Sequence, residues 1–385
     1  MQEVSFVSLD AASDDESQPV TRILRIDPEH SVPPAMAFSY GPGQDLIDGD
    51  YAANNIVWPI SVYAATGIEI IGPWFNIGIF PMMGDTCLVS QELYQSKDCS
   101  SSGDALKKIE QLRTSVSAGA ALRRRVPGQC ALIATQGHLV YGHWLVDFLP
   151  KLYLLRKAGF DVDELSFLIP LNMDPSSFTA PNVLKLLRIV GLREDQLVTY
   201  DPNIETLCPD ELIIPTSMRM NGRLSFEFAD SIAYLNDRIR IANPMLGTGL
   251  QSRVFISRAK ARRFGRQIVN RLEVEQKAAD SRFAIVYPEQ ISMLEQISLF
   301  RGAREIIGQY GSALHGSIYS SAGTKVCGLQ GTGGAASGFV QSGIGERLDQ
   351  PTGYVFGLEQ KLHPVFRFFH IASADLAECI SKEFV

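Results

Sequence analysis

From about residue 130 onward the chain alternates short apolar runs of strand length with segments of helical spacing, and few folds other than a parallel α/β layer accommodate that rhythm. A buried-strand run over 130–134 precedes a turn at 136–138 and then the segment YGHWLVDFLPKLYLLRKAGF, where Trp144, Leu145, Phe148, Leu152 and Leu155 fall on one helical face. Pro150 interrupts that segment and predicts a kink or break. Strands follow at 167–169 and 197–200, separated by a helix over 180–190 that Gly191 closes. A second series repeats the alternation: strands at 254–256, 284–286, 306–307 and 326–329, with helices near 270–280 and 292–301 and after Leu314. Ser292 and Glu295 have the spacing of a capping box.

At 385 residues the chain is long for one core, so two domains are expected. The boundaries read as a mobile leader over 1–20, a β-rich section over 21–104, an α/β domain over 105–242, a linker over 243–251 and a second α/β domain over 252–385. A helix is expected over 105–118 and another at the C-terminus, and the glycine-rich stretch 330–354 is expected not to pack. Two such domains imply a cleft, the usual place for a ligand.

A net charge of −7 with 45% hydrophobic and 20% charged residues describes a globular, mildly acidic protein, which excludes wholesale nucleic-acid binding. Against that background Arg253, Arg258, Lys260, Arg262, Arg263, Arg266 and Arg271 stand together with no acid among them, as suits one discrete anionic ligand. The six cysteines show no metal-ligand spacing and read as free thiols of a reducing compartment. The first residues lack a signal-peptide core and no apolar run is long enough to span a bilayer, so the expected location is the cytoplasm, with peripheral membrane attachment and homo-oligomerisation left open.

His143 and Asp147, at i and i+4, share a helix face and could form a general-base pair; the competing reading is a pair that only stabilises the helix start. His138 could join them or serve its own turn. Arg258, Arg262 and Arg263 follow a strand directly, where guanidinium groups meet phosphate oxygens, unless they form a solvated basic face. Asn270 and Glu273 suit ribose contacts or helix capping. Gly311, Ser312 and Ala313 form a small-residue turn after a strand, able to present backbone N–H groups to an anion, yet neither a P-loop nor a dinucleotide fingerprint is present. That argues against an NTPase and against a nicotinamide-dependent oxidoreductase. The triplets at 48–50 and 161–163 (DxD) follow no strand and read as surface turns rather than metal sites, and neither GxSxG nor HExxH occurs.

Two blocks, GHWLVDFLPKLYLL and FISRAKARRFGRQIVN through EQISLFRGAREIIGQYGSALHGSIYSSAGTKV, resemble glycosyltransferase family 61, the group of capsular-polysaccharide-type transferases. The resemblance implies a GT-B architecture, two Rossmann-like domains, and inverting sugar transfer without a tightly bound metal or other cofactor. The donor implied is a nucleotide-sugar, a UDP-sugar foremost, and the acceptor a glycan. It further implies Asp147 as base with His143 in support, and donor contacts from Arg258, Arg262, Arg263, Asn270, Glu273, Tyr310, Gly311, Ser312, Ala313 and His315. Tyr310, Gly316 and Arg271 depart from the family pattern, which usually has His, Asn and an acid there. Those departures keep a second reading in play: a catalytically weak sugar-nucleotide or glycan-binding module within a polysaccharide assembly complex.

Overall fold

A computed structural model of the chain describes residues 5–27, 38–43, 59–74, 78–89, 122–135, 137–171, 179–202, 204–220, 222–260, 266–333, 339–360 and 367–385, with residues 46, 114 and 362 besides. The helix expected over 105–118, the triplet at 48–50, and Arg262 and Arg263 lie outside them, apart from Thr114. The chain is mixed α/β, as its alternation predicts, with one large sheet in each of two compact units. Unit 1 comprises Met1–Glu29, Val57–Met220 and Asp230–Ala242; unit 2 comprises His30–Ile56, Asn221–Ala229 and Asn243–Val385.

The heart of unit 1 is four parallel strands: β8 (Leu122–Ala131), β9 (Ser166–Pro170), β10 (Leu197–Tyr200) and β11 (Glu205–Pro215). They lie in the order β10-β9-β8-β11, so the chain steps outward from β8 and then returns to its other side. That reversal is a topological switch point, where the two flanking loops diverge and leave room at the strand ends. The opposite edge of β11 takes antiparallel strands: β4 (Ile60–Thr66) along its second half and β5 (Glu69–Trp74) at Leu207. β2 (Val20–Ile26) extends β4; β6 (Gly78–Met83), β7 (Thr86–Val89) and β1 (Ser5–Ser8) extend β5. Within the stretch read as a leader, Ser8 caps α1 (Leu9–Asp14), which sinks Leu9 and Ala12 into the core formed with Tyr63, Ile70, Leu88, Leu132 and Leu212. An apolar pair one turn apart is enough to anchor so short a helix.

The helical segment after β8 is not regular. Leu149 N–H bonds the Trp144 carbonyl at 3.0 Å, closing a wide π turn over Trp144–Phe148 before α2 (Lys151–Lys157) begins. Pro150 is the cause: it has no N–H, and its ring excludes the carbonyl four residues back. The helix α3 (Thr179–Ile189) ends as the glycine predicts: Gly191, at φ +82°, bonds Arg188 and Leu192 bonds Leu187 in a Schellman pair. The next α-helix along the chain is α4 (Glu227–Ala242).

Unit 2 has at its centre β12 (Arg253–Ile256), β14 (Ala284–Val286), β15 (Glu305–Gln309), β16 (Lys325–Gly331) and β17 (Thr352–Gln360), all parallel, in the order β14-β12-β15-β16-β17. The chain again changes side beside its first strand, here between β12 and β15, and makes a second switch point. β18 (Arg367–His370) pairs antiparallel with β17 and parallel with β13 (Arg266–Ile268), and β3 (Phe38–Tyr40) adds to β17. Phe255, Ile307 and Cys327 line up across the central strands, as Leu329 and Val355 do two residues on. All share one core with Val274 and Ala278 of α5 (Arg271–Asp280) and Leu376 and Cys379 of α8 (Ser373–Glu383). The capping box of Ser292 and Glu295 is present, closing α6 (Met293–Gly302) at its start.

One expectation fails here. The described residues of the stretch 330–354 pack: they include α7 (Val340–Arg347), most of it buried, and the start of β17. Its glycines serve close approach, because a Cβ at Gly345 would lie 2.2 Å from Thr352 Oγ1 and one at Gly353 would lie 2.2 Å from the Phe38 ring. The helix expected at the C-terminus is present as α8, preceded by β18. Among the described residues no helix is long and apolar enough to cross a membrane.

Candidate functional site

At the switch point of unit 1, the loop leaving β8 leads into the π turn and the loop leaving β11 leads into a two-residue strand, Arg219–Met220. These loops bring three side chains together. Arg219 Nε lies 2.6 Å from Asp147 Oδ1 and its Nη2 2.9 Å from Oδ2, while His143 Nδ1 lies 2.6 Å from Oδ2. Side-chain exposure is 1% for Asp147, 8% for Arg219 and 30% for His143, so the imidazole is the part of the cluster that meets solvent. Burial is the largest single influence on the Asp147 carboxyl and would raise its pKa. The adjacent Arg219 charge and the hydrogen bonds from His143 and Arg219 together outweigh it and hold the group well below the usual carboxylate range. An ionised carboxylate only accepts, so Nδ1 of His143 carries a proton and donates it, leaving Nε2 of the neutral ring with the lone pair.

The walls around His143 are close. Gly137 sits at φ +79°, and a Cβ there would fall 2.7 Å from His143 Cδ2 and 2.8 Å from Nε2. Phe148 stacks on the imidazole with ring centroids 6.2 Å apart. The Trp144 indole N–H donates to the His138 carbonyl at 2.7 Å, tying the turn to the helix. His138 itself is buried with Nδ1 3.3 Å from the Thr135 carbonyl, and burial pushes it down to about 4, so it is neutral and belongs to its own turn. Gly137→Ala is expected to displace the imidazole and lower turnover about tenfold or more, since small misplacements at a reacting group are costly. A crystal structure of that variant with His143 unmoved would refute this.

At the switch point of unit 2, Arg258 follows β12 and Gly311 follows β15. Gly311, at φ +149°, leaves room for the guanidinium: a Cβ would lie 3.1 Å from Arg258 Nη1. Gln309 Nε2 donates to the Arg266 carbonyl at 2.7 Å, which fixes the start of β13, and Arg266 lies over the Tyr310 ring at 5.9 Å. Desolvation, then the like charge of Arg266, lower the Arg258 pKa, against a weaker opposing pull from Glu289. Two guanidinium groups near enough to feel each other's charge favour an anion beside them. The residues after Ser312 and Ala313 form a short 3-10 helix, Leu314–Tyr319, rather than an α-helix. Its dipole is small beside two full charges, so the arginines are the stronger attraction.

The other candidates of unit 2 have evident local partners. Asn270 Nδ2 donates to the Ile371 carbonyl at 2.7 Å and its Oδ1 accepts from the Ile371 N–H at 3.1 Å. Glu273 accepts from Asn270 and from Ser373, so this pair clamps the start of α5 to that of α8. His315 Nδ1 lies 3.0 Å from Gln341 Oε1, and Gln341 Nε2 donates to Ser317 at 2.7 Å. At Gly316 a Cβ would lie 2.2 Å from the Phe300 ring, which occupies the space of any side chain there. Arg271 lies 3.6 Å from Glu275, whose carboxylate also accepts from Ser257 at 2.6 Å and Tyr287 at 3.3 Å. In unit 1, Asp161 and Asp163 form a surface turn in which Asp163 pairs with Arg238 at 2.7 Å. Among the described residues no group of His, Cys, Asp and Glu could hold a metal ion.

Fold and sites together define an α/β protein with a His–Asp–Arg cluster at one switch point and an arginine pair at another. Residues 141–327, a span that holds both clusters, match the family model described as Glycosyltransferase 61, which supports a place in glycosyltransferase family 61. The family implies a glycosyltransferase, with a nucleotide-sugar donor and a glycan acceptor. No curated protein matches the chain.

Proposed function

We propose that the protein is an inverting glycosyltransferase in which His143 removes the proton of the acceptor hydroxyl, Asp147 orients the imidazole, and Arg258 and Arg266 take up the charge of the departing nucleotide diphosphate. The acceptor oxygen bonds the anomeric carbon from the face opposite the leaving group, the bond to the diphosphate breaks with its electron pair, and the proton ends on Nε2. The observation that carries this reading is the buried Asp147, held by three hydrogen bonds, beside an imidazole that is 30% exposed. A carboxylate with three hydrogen bonds and 1% exposure is a poor proton acceptor, so the role of base passes from Asp147 to His143. The arginines and the Gly311 turn would do electrostatically what a metal does elsewhere. A GT-B arrangement, a UDP-sugar donor, a cytoplasmic location and a part in surface-polysaccharide assembly complete the reading. Its support in residues is the match itself and the free state of the five described cysteines.

Purified protein incubated with UDP-, GDP- and CMP-sugars is expected to hydrolyse or transfer from at least one donor. Arg258→Met is expected to weaken that donor about tenfold or more, as loss of a charge-assisted phosphate contact does. Nucleotide binding with no turnover of any donor would favour the binding-module reading instead.

A further inference from the structure

Glu273 suits ribose contacts by sequence, but its carboxylate is committed to Asn270 and Ser373. Glu275, on the same helix, accepts from Ser257 and Tyr287 and pairs with Arg271. Glu289 is placed differently. β14 runs parallel to β12 with Val286 beside Ile256, and the Ser257 N–H donates to the Val286 carbonyl at 2.8 Å, so the chain leaves both strands at the same height. Arg258 follows the end of β12 by two residues, and Glu289 follows the end of β14 by three, in the 3-10 turn Pro288–Gln290. Pro288 opens that turn and Gln296 Nε2 of α6 donates to the Pro288 carbonyl at 2.9 Å, which pins the backbone under Glu289. Glu289 is exposed, makes no hydrogen bond or ion pair among the described residues, and its charge acts on Arg258. A free carboxylate beside an anion site repels the ligand unless some part of that ligand donates to it. In a doubly wound layer the phosphates bind where the first strand ends, and the sugar next to them reaches the end of the neighbouring strand, where an acid accepts from its hydroxyls.

We propose that Glu289 is a specificity-determining residue of the donor site: its carboxylate accepts hydrogen bonds from the 2′- and 3′-hydroxyls of the donor's ribose, so that the site selects ribonucleotide over deoxyribonucleotide donors. This rests on the reading of Arg258 and Arg266 as the contacts of the diphosphate. Glu289 takes no part in proton or sugar transfer; it acts on which donor is held.

The test is calorimetric binding of UDP, GDP, their 2′-deoxy counterparts and inorganic pyrophosphate to the full chain, as wild type and as Glu289→Ala. Wild type is expected to hold one ribonucleotide about tenfold or more tighter than its 2′-deoxy form, the range for a hydrogen bond to a charged group. In Glu289→Ala that preference is expected to shrink to about twofold or less, while pyrophosphate binds at least as tightly as to wild type, because only a repelling charge has gone. The residue is exposed, so Tm is expected to stay at the wild-type value. A wild type that binds both forms alike, a preference kept in Glu289→Ala, or pyrophosphate weakened in that variant would each overturn the proposal and leave the donor reading standing. If wild type binds neither nucleotide nor pyrophosphate, the donor reading fails and this proposal with it.

Discussion

His143→Gln is expected to lower kcat by about 10²–10⁴, the range for a lost general base, while nucleotide affinity stays at the wild-type level. The expectation follows from which atom is able to take a proton. Both oxygens of Asp147 are bonded and the group is almost wholly buried, whereas the imidazole is 30% exposed and presents Nε2. Asp147→Asn should also lower kcat, but for a different reason. An amide cannot accept from His143 and from both nitrogens of Arg219 as the carboxylate does, so the ring loses its fixed tautomer and orientation. Glutamine at 143 removes the base and leaves the carboxylate in place. The two variants therefore separate the roles when kcat is measured beside nucleotide affinity by calorimetry. Near-normal kcat in His143→Gln together with an inactive Asp147→Asn would return the base to Asp147.

Much of the scaffold was legible because its signals are local. The apolar runs at 197–200 and 284–286 match β10 and β14, Gly191 closes its helix, and Ser292 and Glu295 cap theirs. Pro150 announced a break, though not that a π turn would absorb it; a missing N–H marks where regularity ends without saying which irregular turn replaces it. Composition misled at 330–354, where glycines read as looseness are sites of close packing against Thr352 and Phe38. The pairing of His143 with Asp147 was visible as i and i+4 spacing. Arg219 was not, since 72 residues separate it from Asp147 and only the parallel neighbours β8 and β11 bring their ends together. Its one signal was an isolated arginine just past an apolar strand. Gln341, which holds His315, was hidden in the same way inside the stretch expected not to pack. Lys151, which is buried, gave no signal of that in the sequence, because burial of a charge cannot be read from its neighbours in the chain.

Arg219→Met should destabilise unit 1 by about 3–5 kcal/mol, the cost of leaving a buried charge without its partner. In thermal unfolding that corresponds to a fall of roughly 10 °C or more. The pH dependence gives the sign. In wild type the folded pKa of Asp147 lies below its unfolded value, so its contribution is fully present above the ordinary carboxylate pKa and is lost only as pH falls through the lower folded value. Without Arg219, burial acts with much less opposing charge and the folded pKa moves up, so the carboxylate is costly at neutral pH and relieved by protonation in acid. The gap in Tm between the two proteins should therefore be widest near pH 8 and narrow on the way to pH 5. Asp147→Asn combined with Arg219→Met exchanges two buried charges for neutral groups and should recover more stability than activity, because His143 still lacks the ionised acceptor that orients it. A Tm for Arg219→Met equal to that of wild type across this range would mean that the ion pair does not hold in solution, and the positioning of His143 would have to be sought elsewhere.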